Sequence, residues 1–149
     1  MERKEFESLA LDIMSRADML VLSTICGDPY PRSRALFNLR QASRFPALAA
    51  FHADKGLSVF LGTNTSSIKA RELGQAPWAS VYFMLPPEFK GLCLSGRAKP
   101  CPEAREALWT EGWEIYYPKG RDDPDYSVFR LDPVRAVGWS SLAAFDLEL

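Results

Sequence analysis

The chain has 149 residues, the length of one ordinary domain, and we expect a single domain spanning residues 1–149. Hydrophobic residues make up 47% and charged residues 25%, a composition that is typical of folded globular proteins and excludes a disordered chain. The 18 Lys and Arg residues are balanced by 19 Asp and Glu residues, so the sequence lacks the basic excess of a nucleic-acid-binding surface. We therefore expect no nucleic-acid partner.

The N-terminal part of the sequence predicts one helix followed by a hairpin. Apolar residues recur at helical spacing from Phe6 to Met14, with charged residues between them. Segments 19–25 and 31–39 predict two strands, the first of them rich in branched side chains. Residues 26–29 have the composition of a turn, which would join the strands as a hairpin.

The middle of the sequence predicts a third strand and a short helix. Residues 40–54 have no regular pattern and contain the only histidine, His52, which we expect to be a solvated or locally hydrogen-bonded loop residue. A strand is predicted over 57–62. Good N-capping residues then precede a helix over 67–74, which ends at a glycine.

The C-terminal half predicts four more strands and one helix. The strands are predicted over 78–85, 91–99, 126–131 and 134–140, with an Asp132-Pro133 turn between the last two. The helix is predicted from Pro102 to about Trp113. Strands joined by tight turns favour antiparallel pairing, and six or seven of them can curl into a small barrel. The fold class that follows is mainly β with flanking helices.

Common catalytic and metal-binding patterns are absent from the sequence. The three cysteines form no Cys-x-x-Cys pair, and no glycine-rich phosphate loop of either common type occurs. Residues 122–125 resemble the start of a calcium loop, but no glutamate follows at the required spacing, so they predict a turn instead. No apolar run has the length of a signal peptide or a membrane span. We therefore expect no metal site, no membrane partner and a cytoplasmic location, and the catalytic residues stay unknown.

A pair of arginines is the first candidate for ligand binding. Alternation along a strand places Arg32 and Arg34 on one face, with Ser33, Ala35 and Phe37 on the other face, pointing into the barrel. A guanidinium is a planar fork of donors that matches a phosphate. The alternative is a solvated surface pair with no ligand.

The start of the helix over 67–74 is the second candidate. A helix N-terminus attracts anions through its free N–H groups and its partial positive charge, and Lys69 in the first turn would otherwise oppose that dipole. Thr63 and Ser67 add hydroxyl donors. The alternative is an ordinary Ser/Thr cap beside an unrelated lysine. Together with the arginines, this segment favours a phosphate-bearing ligand.

Aromatic residues form a third cluster, which includes Trp109, Trp113, Tyr116 and Tyr117. The spacing of Trp109 and Trp113 would place them on one helix face. Such a stripe belongs to a core or a subunit interface more often than to a wall against a planar ligand ring.

These segments, in their order and spacing, resemble the FMN-binding split-barrel superfamily of pyridoxamine 5′-phosphate oxidase, and most closely its branch similar to general stress protein 26. The likeness runs from about Met19 to Trp139. The strings that carry it are Leu22-Ser23-Thr24-Ile25, Pro31-Arg32-Ser33-Arg34-Ala35, the segment 63–73, Ala79-Ser80-Val81-Tyr82-Phe83, Leu94-Ser95-Gly96-Arg97-Ala98 and the segment 108–126.

The resemblance implies a six-stranded antiparallel split barrel that forms a homodimer and binds FMN in two grooves between the subunits. Arg34 and Lys69 would hold the FMN phosphate, with Arg32, Thr63, Asn64 and Ser67 assisting. The backbone at Ala35 to Phe37 and at Leu61 to Thr63 would run beside the isoalloxazine. Aromatic residues near Trp109 to Tyr117, Trp113 among them, could come from the second subunit.

One departure from the family bears on the activity. The true oxidase holds pyridoxal phosphate with a C-terminal Arg-x-His motif, whereas this sequence has no histidine after His52. We therefore expect an FMN-dependent oxidoreductase that acts on a small unknown substrate or reductant other than vitamin B6. The alternative is a non-catalytic, stress-related binder of flavin, haem or a related cofactor. FAD and a deazaflavin stay open, because they share the phosphate end of the ligand.

Overall fold

The computed structural model describes residues 1–26 and 28–149. The predicted turn at 26–29 includes Gly27, which lies outside the described residues. The helices are α1 (Arg3–Arg16), α2 (Ala49–His52), α3 (Ile68–Gln75) and α4 (Arg105–Leu108). The strands are β1 (Met19–Thr24), β2 (Arg32–Phe37), β3 (Val59–Asn64), β4 (Trp78–Leu85), β5 (Lys90–Pro100), β6 (Tyr126–Ser140) and β7 (Ala143–Glu148).

The strands form one antiparallel sheet that curls into a nearly closed barrel. Its order is β2-β1-β4-β5-β6-β3, and β7 pairs with β6 outside this path. Strands β2 and β3 therefore stand at the two ends of the sheet. The predicted six-stranded split barrel with flanking helices is confirmed.

Apolar side chains alternate along the strands and fill the barrel from two sides. One core cluster joins α1 to the barrel interior through Phe6, Ile13, Leu20, Phe83 and Leu92. A second cluster packs Leu108, Trp113 and Tyr117 against Tyr126 and Val128 of β6. Among the described residues, no helix is both long and apolar enough to span a membrane.

The predicted helix from Pro102 to Trp113 is wrong. The structure has a 3₁₀ turn at Pro102–Ala104, then α4, and a second 3₁₀ turn at Trp113–Ile115. Gly112 lies between them with a φ of +93°, a conformation that an α-helix cannot contain. Trp109 and Trp113 therefore do not share a helix face, and they meet through the turn instead, with ring centroids 6.1 Å apart.

The predicted break at Asp132-Pro133 is also wrong, because β6 runs through it as one strand. The pairing with β5 shifts register there, since Ser95 faces Arg135 while Gly96 faces Pro133. Such a bulge accommodates a proline, which has no N–H to donate to the ladder. Glycine is required opposite it, because a Cβ at Gly96 would clash with the backbone oxygen of Asp132.

Two further expectations are corrected by burial. His52 ends α2 and is buried, with Nδ1 3.0 Å from the carbonyl oxygen of Leu48, so the local hydrogen bond is present but the solvated loop position is not. In β2, Ser33 and Ala35 are exposed rather than directed into the barrel, whereas Leu36 packs on the core and Phe37 is half-buried. Strand β7 was not predicted, and its Phe145 adds to the barrel core.

Candidate functional site

An open depression of about 680 Å³ lies between β2 and the start of α3. Its lining residues are Arg32, Ser33, Arg34, Ile68 and Lys69. The structure thus places the three cations that the sequence singled out around one surface feature, although Arg34 and Ser67, the cap of α3, lie 33 positions apart in the sequence. We call this feature the cationic depression.

Arg34 is held along one side of its guanidinium by β1 and β2. Its Nη1 donates to the Thr24 hydroxyl at 2.7 Å, to the Leu22 carbonyl at 3.3 Å and to the Arg32 carbonyl at 3.2 Å. Its Nη2 donates to Glu72 at 3.3 Å. No partner for the Nε–H lies within the described part of the chain. Arg34 is therefore anchored and still has donor capacity for a ligand.

A buried carboxylate lies beneath the two arginines. Glu72 has a side chain only 3% exposed, and its Oε1 accepts from Arg32 at 3.5 Å as well as from Arg34. Arg32 also pairs with the exposed Asp28 on the outer side. A buried carboxylate is tolerated only when it is paired, so α3 and the end strand β2 are joined by this cluster.

Lys69 is the third cation of the depression. It is partly withdrawn from solvent, and this desolvation, together with the nearby positive charge of Arg34, lowers its pKa. Lys69 and Arg34 line the same depression, so their positive charges repel each other. A bound anion would relieve that repulsion.

The other predicted phosphate donors have partners within the protein. Ser67 caps α3 by accepting the Ala70 N–H at 3.2 Å, and its hydroxyl lies 3.2 Å from that of Thr63. The Asn64 amide donates to Asp125 at 2.7 Å. The same Asp125 accepts the Ser66 N–H at 2.8 Å, and these bonds lower the pKa of its carboxyl group. The loop before α3 is thereby tied to the residues that precede β6.

The predicted aromatic residues lie mostly inside the protein. Trp113 is only 8% exposed, and Trp109 is partly buried against the ring of Tyr126, with centroids 5.3 Å apart. This placement matches the interpretation of the pair as core. Tyr116 is 48% exposed and contacts Phe37 edge-on at 6.1 Å between centroids. A small cavity of about 30 Å³ lies between this contact and Gly62 on β3.

The remaining predicted positions belong to the two end strands. Leu61 is buried in the barrel core, so only its backbone could border a ligand. Ala35 is exposed on β2, in register with Val21 of β1. Thr24 and Glu72 lie in segments that carry the family resemblance, and Asp125 lies in the predicted turn 122–125, but no local pattern assigns them a part in the site, which only tertiary contacts reveal.

Comparison with known proteins places these features in a family context. The sequence model of the family described as pyridoxamine 5′-phosphate oxidase matches residues 7–140. No significantly similar protein was found among those with curated function. A Clostridium acetobutylicum protein related to general stress protein 26 of Bacillus subtilis is 25% identical, with a TM-score of 0.78 over 99% of this chain and 97% of that one.

Two more distant structures share the fold. General stress protein 26 from Bacillus anthracis is 15% identical, with a TM-score of 0.73 over 97% of this chain and 99% of that one. A haem binding protein from Mycobacterium smegmatis is 17% identical, with a TM-score of 0.69 over 99% of this chain and 60% of that one.

Proposed function

The chain belongs to the pyridoxamine 5′-phosphate oxidase family, and on that premise we propose that it is a homodimeric FMN-binding oxidoreductase. The observation that carries the proposal is the convergence of Arg32, Arg34 and Lys69 on the cationic depression. Three cations are offset there by the buried Glu72 and, at Arg32, by the exposed Asp28, which leaves a positive site suited to a phosphate.

The residues present fit the phosphate end of FMN better than they fit any other part. Arg34 and Lys69 would bind the phosphate oxygens, with Arg32 released from Asp28 to assist. The exposed backbone at Ala35 and the edge formed by Phe37 and Tyr116 would border the flavin ring. FMN supplies the hydride or electron transfer when bound, while the protein binds and orients it.

A row of partly or fully exposed, mostly apolar residues on the outer sheet face supports the proposed homodimer. In register across five strands lie Ala35, Val21, Tyr82, Cys93 and Val137. A neighbouring row consists of four serines and an arginine, namely Ser33, Ser23, Ser80, Ser95 and Arg135. Because Ser33 also lines the cationic depression, a subunit packed on this face would border the ligand.

A second candidate function is a non-catalytic binder of flavin or haem. The cationic depression has no acid, thiol or imidazole among its described lining residues. The one histidine does not line the cationic depression, and its Nε2, the nitrogen that the local Nδ1 bond leaves free, is buried, so it is poorly placed to ligate a haem iron in this site. This observation favours a flavin over haem, and it leaves the flavin itself as the reactive group.

The test begins with the purified protein and its chromophore. A visible spectrum and the mass of any released ligand identify FMN, FAD, a deazaflavin or haem. Protein-dependent oxidation of NADH or NADPH with added FMN supports the oxidoreductase, whereas stoichiometric binding without turnover supports the binder. A protein that is colourless and does not bind added FMN would contradict the oxidoreductase and would favour a binder of haem or a related cofactor.

A further inference from the structure

A buried hydroxyl and a buried carboxylate support the arginines of the cationic depression from below. Thr24 ends β1 with none of its surface exposed, and its hydroxyl accepts from Arg34 at 2.7 Å. The same hydroxyl donates to Oε2 of Glu72 at 3.3 Å. Glu72 then accepts from Arg34 and Arg32 through Oε1. One polar network therefore joins β1, β2 and α3.

This network reduces the electrostatic repulsion between Arg32 and Arg34. Two guanidiniums on one strand face repel each other in a partly buried site unless a counter-ion lies between them. Glu72 supplies that charge, and Thr24 fixes the Nη1 side of Arg34. An arginine held in one orientation before binding loses less conformational entropy when an anion arrives.

We propose that Thr24 and Glu72 are positioning residues, which act through Arg34 to set the affinity of this site for a phosphate. The inference rests on the proposed function in that the phosphate is taken to belong to FMN. Neither residue needs to touch the ligand. Their contribution should appear as the difference in affinity between a ligand that carries the phosphate and one that lacks it.

The experiment compares FMN with riboflavin, which has the same ring without the phosphate. Thr24→Val keeps the shape of the side chain and removes the hydroxyl, and we expect it to weaken FMN binding about tenfold because a hydrogen bond to a charged group is lost. Riboflavin binding should not change. Thr24→Ser restores the hydroxyl and should restore the preference for FMN. Quenching of flavin fluorescence measures both affinities.

Glu72→Ala and the double variant test whether the two residues act as one unit. Glu72→Ala should also weaken FMN about tenfold, and Thr24→Val/Glu72→Ala should be little worse than either single change, since both remove the same support. A gain in FMN affinity in Glu72→Ala would show that the carboxylate merely repels the phosphate. Equal losses for FMN and riboflavin would show a merely structural role. Either result overturns the inference.

Inorganic phosphate separates this inference from the proposed function. If phosphate raises the Tm of the wild-type protein while neither flavin binds, the flavin proposal fails. The dependence of that phosphate effect on Thr24 then still decides the inference. If FMN binds and Thr24→Val leaves its preference over riboflavin intact, only the inference fails. If none of the three ligands binds, both are wrong.

Discussion

Arg34→Ala gives the most direct test of the cationic depression, and its consequences divide into two measurable parts. A bidentate contact between Arg34 and a phosphate would comprise two charge-assisted hydrogen bonds, each of about 1.5–3 kcal/mol. After rearrangement of Arg32 and Lys69, we expect a loss of about 3–4 kcal/mol of binding free energy. The Kd for FMN should therefore rise by two to three orders of magnitude.

The second part is a loss of stability that follows from Glu72. Without Arg34, the buried carboxylate keeps only Arg32 at 3.5 Å and the Thr24 hydroxyl at 3.3 Å. Removing one partner from a buried pair costs about 3–5 kcal/mol, and we expect about 1–2 kcal/mol because Arg32 remains and Arg34 is 23% exposed. Arg34→Ala/Glu72→Gln should regain most of the free energy of unfolding without regaining FMN affinity.

Titration calorimetry and urea unfolding measure the two parts separately. Lys4→Gln is the charge-matched control, since Lys4 is an exposed cation of α1 and its loss should change neither quantity. Arg34→Lys keeps the charge without the planar fork and should bind with intermediate affinity. A folded Arg34→Ala protein whose Kd for FMN stays within threefold of the wild-type value would refute the assignment.

Three further predictions concern pH, packing and assembly. Burial and the charge of Arg40 lower the pKa of His52 to about 4 in the folded protein. As the pH drops from about 6.5 to 4, His52 is therefore protonated in the unfolded state but not in the folded state. The free energy of unfolding should fall over that range. The loss should reach at most about 3 kcal/mol, and His52→Gln should unfold in urea with a flatter pH profile over that range. Gly96→Ala should destabilise the protein by about 1–3 kcal/mol, because the new Cβ clashes with the β6 backbone. Gly74→Ala in α3, where a Cβ meets nothing within 4 Å, should stabilise the protein by about 0.4–1 kcal/mol. Thermal unfolding compares the two variants. Val137→Arg places a charge on the outer face and should yield a monomer by light scattering with reduced FMN affinity, and an unchanged dimer would place the interface elsewhere.

Local signals in the sequence sufficed for most elements of the barrel. The β4 segment 78–85 was predicted with its observed bounds, because a proline precedes it and two prolines follow it. Ser67 was expected among the capping residues and does cap α3. Helix capping and strand alternation act over a few residues, so they can be recognised without any tertiary information.

The errors occurred where distant contacts override local preference. Alternation on β2 correctly separates Arg32 and Arg34 from Ser33 and Ala35, but it does not indicate which set faces inward. In most strands the apolar set would decide, whereas here the inner partner of Arg34 is Glu72, which lies on α3 and is invisible to any local pattern. For the same reason the sequence predicted the cations of the depression but not the buried groups that hold them. Their binding of a phosphate stays a prediction.

The net charge of the chain does not indicate the local excess of positive charge in the depression. The chain carries a net charge of −1, yet Arg32, Arg34 and Lys69 outnumber the buried Glu72 within one surface feature. Once Arg32 is released from Asp28, the three cations and Glu72 sum to +2, which is close to the opposite of a phosphomonoester, with about −1.5 to −2 at neutral pH. At physiological ionic strength a charge is screened beyond about 8 Å, so the acidic residues elsewhere do little to cancel this field. A local excess of this size suits one small anion and is too limited to bind a polyanion along its length.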